Sequence, residues 1–246
     1  MTNIIYGFHS ITSLIKHEAT AINIIYLDHK RKDKRQQDII AIAKQNNIQI
    51  ELLTDEQLTK LIGSDKHQGI IARINKTSKQ SLEQILFTIN PKKNALILIL
   101  DGITDPQNLG AIIRTADCFN VDAIILPKNN SANVDNAIVS KTSSGAINFI
   151  PIITVNNISQ TIENLKKNDF WIAGTSLSPN SINLFNFKPQ SKLVWVMGSE
   201  STGMRRLTTE SCDYLVTIPT SGTTQSLNVS VATGIVLAYT RFMHQK

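Results

Sequence analysis

Only two cysteines, Cys118 and Cys212, occur in 246 residues, too few and too scattered for a disulfide framework or a zinc site. The five histidines (His9, His17, His29, His67, His244) fall at no metal-ligand spacing, so no metal is expected. Long apolar runs are missing as well. The longest, Ala95 to Leu100, is far short of the ~20 residues that a membrane helix needs. The opening Met1-Thr2-Asn3 lacks the basic segment, apolar run and small-residue cleavage site of a leader. These absences point to a protein of a reducing cytoplasm.

Several familiar site motifs are also absent. No Gly-x-Gly-x-x-Gly occurs, which counts against a nucleotide-binding oxidoreductase, and no Gly-x-Ser-x-Gly occurs, which counts against a hydrolase nucleophile elbow. Gly198 and Gly203 have the Walker spacing, but Met204 and Arg205 stand where Lys and Ser/Thr are required to cradle phosphate. No Ser/His/Asp set is suggested either.

What is present is an alternation of apolar and helix-forming segments. In residues 1–75, strands are expected at Ile22–Leu27, Ile48–Leu52 and Gln68–Ile74, with a helix over Asp33–Gln45. Thr54 followed by Gln57 is a capping-box signal for a short helix ending near Gly63. Residues 76–93 turn polar and basic, from Lys76 to Asn90-Pro91-Lys92-Lys93, and read as a linker carrying one short helix. A second domain then spans 94–246. It opens with the Ala95–Leu100 run, suited to a strand buried on both faces. Further strands are expected at Ala123–Leu126, Phe170–Thr175, Leu193–Met197 and Tyr214–Ile218, and helices at Ile158–Lys167 and Val229–Met243. Such alternation specifies an α/β domain with a mostly parallel sheet.

Charge is unevenly spread. Residues 1–93 hold 14 Lys/Arg against 9 Asp/Glu, whereas residues 94–246 hold 11 against 10. A basic first third suits contact with a polyanion, and equally suits a solvated surface kept for solubility.

Ligands of open α/β sheets bind beyond the carboxyl ends of strands, and three such ends here are rich in Gly, Asn, Ser and charge. They are Asp105-Pro-Gln-Asn108-Leu-Gly-Ala-Ile-Ile-Arg114, Val196-Met-Gly198-Ser-Glu200, and Ile218-Pro followed by Ser226-Leu227-Asn228-Val-Ser230. Together and in this order they resemble the three motifs of the SpoU/TrmH family of RNA ribose 2'-O-methyltransferases, of the SPOUT superfamily. Residues 1–75 also resemble the substrate-binding domain, of the ribosomal-protein L30e type, that precedes the catalytic domain in some members.

That resemblance implies a C-terminal parallel-sheet domain with a deep trefoil knot, a homodimer, S-adenosylmethionine as cofactor and RNA as substrate. The two-part layout is similar to members that methylate a guanosine of 23S ribosomal RNA. A tRNA ribose is the rival target, and a non-catalytic RNA-binding or ribosome-assembly protein the rival class. The resemblance assigns Gly198, Ile218 and Leu227 to the cofactor pocket, with Gly198 admitting close backbone approach to the ligand. Without it, Ile218 and Leu227 read as ordinary core.

Arg114 is the main catalytic candidate, holding RNA phosphate and stabilising a developing alkoxide. A guanidinium hardly ever loses its proton, so this role is electrostatic. Asn108 is expected to orient Arg114 or the ribose, or else to cap the helix after Asp105-Pro106. Glu200 is expected to pair with Arg114. Ser226 and Asn228 are expected to contact the substrate or to support the knot, and both are natural N-caps for the last helix. Arg205 and Arg206 are candidates for phosphate contact or a solvated pair.

Overall fold

The computed structural model describes residues 3–74, 81–89, 94–223 and 226–245. Asn75 to Gln80 and Asn90 to Lys93, part of the connecting stretch, lie outside the described residues. The chain divides into two compact units, Met1–Ser78 and Lys79–Lys246.

The first unit contains β1 (Asn3–Tyr6), α1 (Phe8–Glu18), β2 (Ile22–Asp28), α2 (Lys34–Gln45), β3 (Gln49–Leu53), α3 (Asp55–Ile62) and β4 (Ile70–Ile74). Its sheet has the order β1-β4-β2-β3. It is mixed: β4 runs antiparallel to β1 and β2, while β3 runs parallel to β2. The Thr54/Gln57 pair forms the expected capping box, and Gly63 ends α3 in the left-handed conformation at φ 69°. β4 begins at Ile70 rather than Gln68, because Gln68 (φ 56°) and Gly69 (φ 76°) form a left-handed turn that no strand accommodates.

The second unit contains α4 (Leu82–Ile89), β5 (Ala95–Asp101), α5 (Pro106–Cys118), β6 (Ala123–Pro127), α6 (Ala137–Thr142), β7 (Ile152–Val155) and α7 (Ile158–Lys167). It continues with β8 (Trp171–Thr175), β9 (Ile182–Asn183), β10 (Lys192–Gly198), α8 (Arg206–Glu210), β11 (Tyr214–Thr217) and α9 (Val229–His244). Seven strands form one sheet in the order β7-β6-β5-β10-β8-β11-β9, and every pairing is parallel.

The apolar run at β5 works as a two-faced strand. Leu96, Leu98 and Leu100 point into one core with Ile112 and Ile113 of α5 and Val236 and Leu237 of α9. Ala95, Ile97 and Ile99 point into the opposite core with α7 and α4. β10 splits likewise, with Leu193, Trp195 and Met197 on the first face and Val194 and Val196 on the second. Strand alternation at period two thus fills both layers. Leu82, Ile85, Leu86 and Ile89 are buried in the same core as β5, so α4 packs as part of this unit.

β5 and β10 lie side by side at the centre, and the strand order runs outward from them in both directions. This is the switch point at which open parallel sheets hold ligands.

Candidate active site

Asp105 starts α5. Its carboxylate accepts from the backbone N–H groups of Gln107 and Asn108 at 3.1 and 3.2 Å, with Pro106 at the first helical position. The cap is therefore Asp105, which frees the Asn108 side chain. Its amide donates to Glu200 Oε1 at 3.1 Å. The same oxygen accepts from Asn228 Nδ2 at 2.6 Å and from the Val229 N–H at 3.1 Å. Asn228 Nδ2 also reaches Asn108 Oδ1 at 2.9 Å. Asn108, Glu200 and Asn228 thus close a ring of side-chain hydrogen bonds that joins all three motif segments.

Asn228 does double duty. Its Oδ1 accepts from the Ser230 and Val231 N–H groups at 2.9 and 3.4 Å, so it is the N-cap of α9, and Ser226 is not. The negative Glu200 carboxylate, bonded to the Val229 N–H, sits at the positive end of a 16-residue helix.

One expectation is corrected here. Glu200 makes no ion pair with Arg114. The Arg114 side chain is exposed and makes no hydrogen bond or ion pair with a described residue. Six residues of helix turn a side chain about 120° from Asn108 and carry it about 9 Å along the axis, so one carboxylate does not serve both. Gly198 lines the cavity at the strand ends and meets a second constraint. A Cβ there would stand 2.2 Å from Gly203 C and Met204 N. The close approach is to the chain's own returning turn, which the Ser199–Gly203 bridge clasps.

That turn is tied down by a residue missed in the sequence. Asp101, the last residue of β5, is buried at 1% exposure. Its Oδ2 accepts from the Arg205 N–H at 2.9 Å, and its Oδ1 lies 3.5 Å from Arg205 Nε. Arg206 pairs with Glu210 at 2.7 Å. Both arginines singled out for phosphate therefore have carboxylate partners. Asp101 is a strand-end carboxylate, and that position was the signal available.

A cavity of about 450 Å³ opens at the carboxyl ends of β8, β10 and β11. Gly198, Glu200, Ile218, Ser226 and Leu227 all line it. Ile218 and Leu227 are half-buried rather than sealed in the core, leaving apolar surface to the cavity. Thr175, the last residue of β8, with Ser176 and Ser178 just beyond it, supplies a hydroxyl-rich wall that the motifs did not reveal.

Nucleophilic thiol chemistry does not fit this site. Burial, reinforced by the Asp213 charge, pushes the Cys212 thiol up to about 12, and its Sγ donates to Thr208 O. Among the described residues, no three His, Cys, Asp or Glu side chains group as a metal site requires, and no helix is long and apolar enough to cross a membrane.

The parallel sheet and its strand-end cavity define an α/β protein of the ligand-in-the-crevice class. The chain belongs to the SpoU rRNA Methylase family, whose model matches residues 95–238; residues 4–91 match the model for RNA 2'-O ribose methyltransferase substrate binding. The family expected from the three motifs is the family found. The chain is 40% identical to the 23S rRNA (guanosine-2'-O-)-methyltransferase RlmB of Nitrosomonas europaea, over 98% of this chain and 92% of that one. The protein of the same name from Blochmanniella floridana is 43% identical, over 96% and 93%. Among solved structures, the SpoU methyltransferase AviRb from Streptomyces viridochromogenes, in complex with the cofactor AdoMet, superposes with a TM-score of 0.78. It covers 99% of this chain and 91% of that one at 19% identity, a likeness of fold.

Proposed function

We propose that this protein transfers a methyl group from S-adenosylmethionine to the ribose 2'-hydroxyl of a guanosine in 23S ribosomal RNA. The observation that carries the proposal is the Asn108–Glu200–Asn228 ring, joined to the strand-end cavity through Glu200, which lines it. The near-full-length identity to two enzymes of that name supports the substrate.

The cavity fits the cofactor. Its volume lies within the ~300–1,000 Å³ of small-molecule sites. Ile218 and Leu227 suit the adenine ring, while Thr175 and Ser176 suit hydroxyl and amino-acid groups. When bound, S-adenosylmethionine supplies an activated methyl group on a sulfonium sulfur. Arg114, unpaired among the described residues, is free to grip an RNA phosphate and to stabilise negative charge as it develops on the ribose oxygen. Asn108 and Asn228 are fixed by Glu200 and present a rigid polar edge to the ribose. Ser226 lines the cavity and is assigned to substrate contact.

Three further features belong to this reading. Residues 1–75 select the RNA. The C-terminal segment is threaded as a knot, in keeping with Val229 at the start of α9 being bonded to Glu200 beyond β10. The protein is a homodimer: α9 exposes Val231, Ala238 and Phe242 at helical spacing, an apolar stripe suited to a second copy.

Mapping of 2'-O-methylation across total RNA, with and without the gene, tests the function. The expected result is loss of methylation at one guanosine of 23S ribosomal RNA; an unchanged map overturns the proposal.

A further inference from the structure

We propose that the loop joining β2 to α2 is an RNA phosphate-binding surface, formed by Lys30, Lys32, Lys34 and Arg35. This rests on the reading of the protein as a ribosomal RNA methyltransferase. Residues 28–35 read Asp-His-Lys-Arg-Lys-Asp-Lys-Arg, five cations and two carboxylates around one histidine.

The structure divides these charges into two sets. Both carboxylates are used internally. Asp28 Oδ1 accepts from the Lys30 N–H at 3.0 Å. Asp33 caps α2 through the Gln36 N–H at 3.0 Å and pairs with Arg31 at 2.6 Å. Arg31 is spent as well. Its guanidinium lies 4.5 Å from the centroid of the Phe8 ring and donates to Gln68 O at 2.5 Å, pinning the loop to the left-handed Gln68-Gly69 turn. Gln36 Nε2 closes the loop by donating to Asp28 O at 2.8 Å.

The second set is Lys30, Lys32, Lys34 and Arg35. All four are exposed, and none of their side chains makes a hydrogen bond or ion pair with a described residue. A loop fixed by these bonds therefore presents four cationic side chains with no ion-pair partner, Arg35 alone lying within Coulombic reach of Asp33. A preorganised array of this kind binds a polyanion without first paying to order itself.

Helix electrostatics argue against a surface kept only for solubility. Lys34 and Arg35 occupy the first turn of α2, which contains no acidic residue. The positive end of a helix favours acids there and disfavours cations. A residue choice that works against local stability marks a position kept for another purpose. RNA is the occupant, because its phosphates offer closely spaced negative charge and most of the basic excess lies in the first 93 residues.

The test compares the intact protein with a variant carrying Lys30→Ala, Lys32→Ala, Lys34→Ala and Arg35→Ala. Binding of a 23S ribosomal RNA transcript is measured across a salt series. Each phosphate contact contributes about 0.7–0.9 to the slope of log affinity against log salt, so the slope is expected to fall by about three, with a loss of roughly tenfold or more in affinity at physiological salt. S-adenosylmethionine affinity and the maximal rate at saturating RNA are expected to stay unchanged, as is the melting temperature. Lys30→Arg, Lys32→Arg and Lys34→Arg together are expected to preserve the slope.

An alanine variant with the parent slope and affinity overturns the proposal. So does one that loses binding only to vesicles of anionic phospholipid, which moves the loop to a membrane surface. If the parent protein methylates no ribosomal RNA, the function itself fails; if it does and the variant slope is unaltered, only this surface fails.

Discussion

Asn228 Nδ2 donates to Glu200 Oε1 at 2.6 Å, tying the start of the last helix to the end of the central strand β10. The same carboxylate oxygen accepts two further hydrogen bonds, from Asn108 and from the Val229 N–H. One side chain therefore holds two segments that lie 92 and 28 residues away in the chain.

Removing that acceptor strands three donors at once. Glu200→Ala is expected to cost about 1–2 kcal/mol, the exposed setting keeping it below the sum of three charge-assisted bonds. Glu200→Gln retains an acceptor and is expected to cost less. Urea denaturation checks the stability, and single-turnover methylation is expected to fall with it, further in Ala than in Gln.

Arg114 has the opposite character, since no described residue holds it. Arg114→Ala is expected to leave the melting temperature and S-adenosylmethionine affinity near the parent values and to lower methyl transfer by about 10²-fold or more. Arg114→Lys is expected to recover only part, because an ammonium lacks the planar fork that grips phosphate. Near-parent turnover in the alanine variant would remove Arg114 from the proposed chemistry.

How much of this was legible in the sequence depends on whether the signal was local. The buried run at Ala95–Leu100 and the Thr54/Gln57 box each lie within a few adjacent residues, and each formed where expected; the helix after Asp105-Pro106 formed too, capped by Asp105 and not by Asn108. β1, β7 and β9 did not announce themselves. They are short strands at or next to a sheet edge, part-exposed and without clean alternation. The three motif segments were legible as a set, but their pairing was not: which donor faces Glu200 depends on the turn of α5 and on the clasp at Ser199–Gly203. Asp101 went unseen because its partner, Arg205, is 104 residues away.

The two glycines of that clasp are expected to respond differently. A Cβ at Gly198 meets backbone at 2.2 Å, which no side-chain rotation relieves. Gly198→Ala is expected to cost more than ~3 kcal/mol and to abolish cofactor binding. Gly203 has φ 68° but open space around its Cβ position, so Gly203→Ala is expected to cost only about 1 kcal/mol. Thermal melts of the two variants, run side by side, check the contrast.

The cysteines offer a chemical check on burial. Cys118 is exposed, whereas the Cys212 thiol is pushed up to about 12. Thiolate is the reactive form. Iodoacetamide at mildly alkaline pH is expected to alkylate Cys118 and to spare Cys212 until the protein unfolds. Peptide mass spectrometry reads the outcome, and equal labelling in the native protein would contradict the packing of Gly174 against Cys212.

His244 sets an acid limit. Burial lowers its pKa below the ordinary 6.5, against the opposing hydrogen bond to Gln190 O. The unfolded chain thus binds the proton more readily, so stability is full above about 6.5 and declines as pH falls toward the lowered folded value. His244→Gln is expected to flatten that part of the stability–pH curve, measured by urea midpoints between pH 5 and pH 7.5. A curve as steep as the parent's would assign the acid sensitivity elsewhere.

Trp195 is fully buried at the centre of β10, and its indole N–H donates to Thr240 of α9 at 2.9 Å. The other tryptophan, Trp171, lies in the same sheet, and residues 1–78 contain none. Tryptophan fluorescence therefore sees the second unit alone. Collapse of the amino-terminal unit is spectrally silent at tryptophan wavelengths, and a smooth emission transition certifies cooperative melting for only one part of the polypeptide.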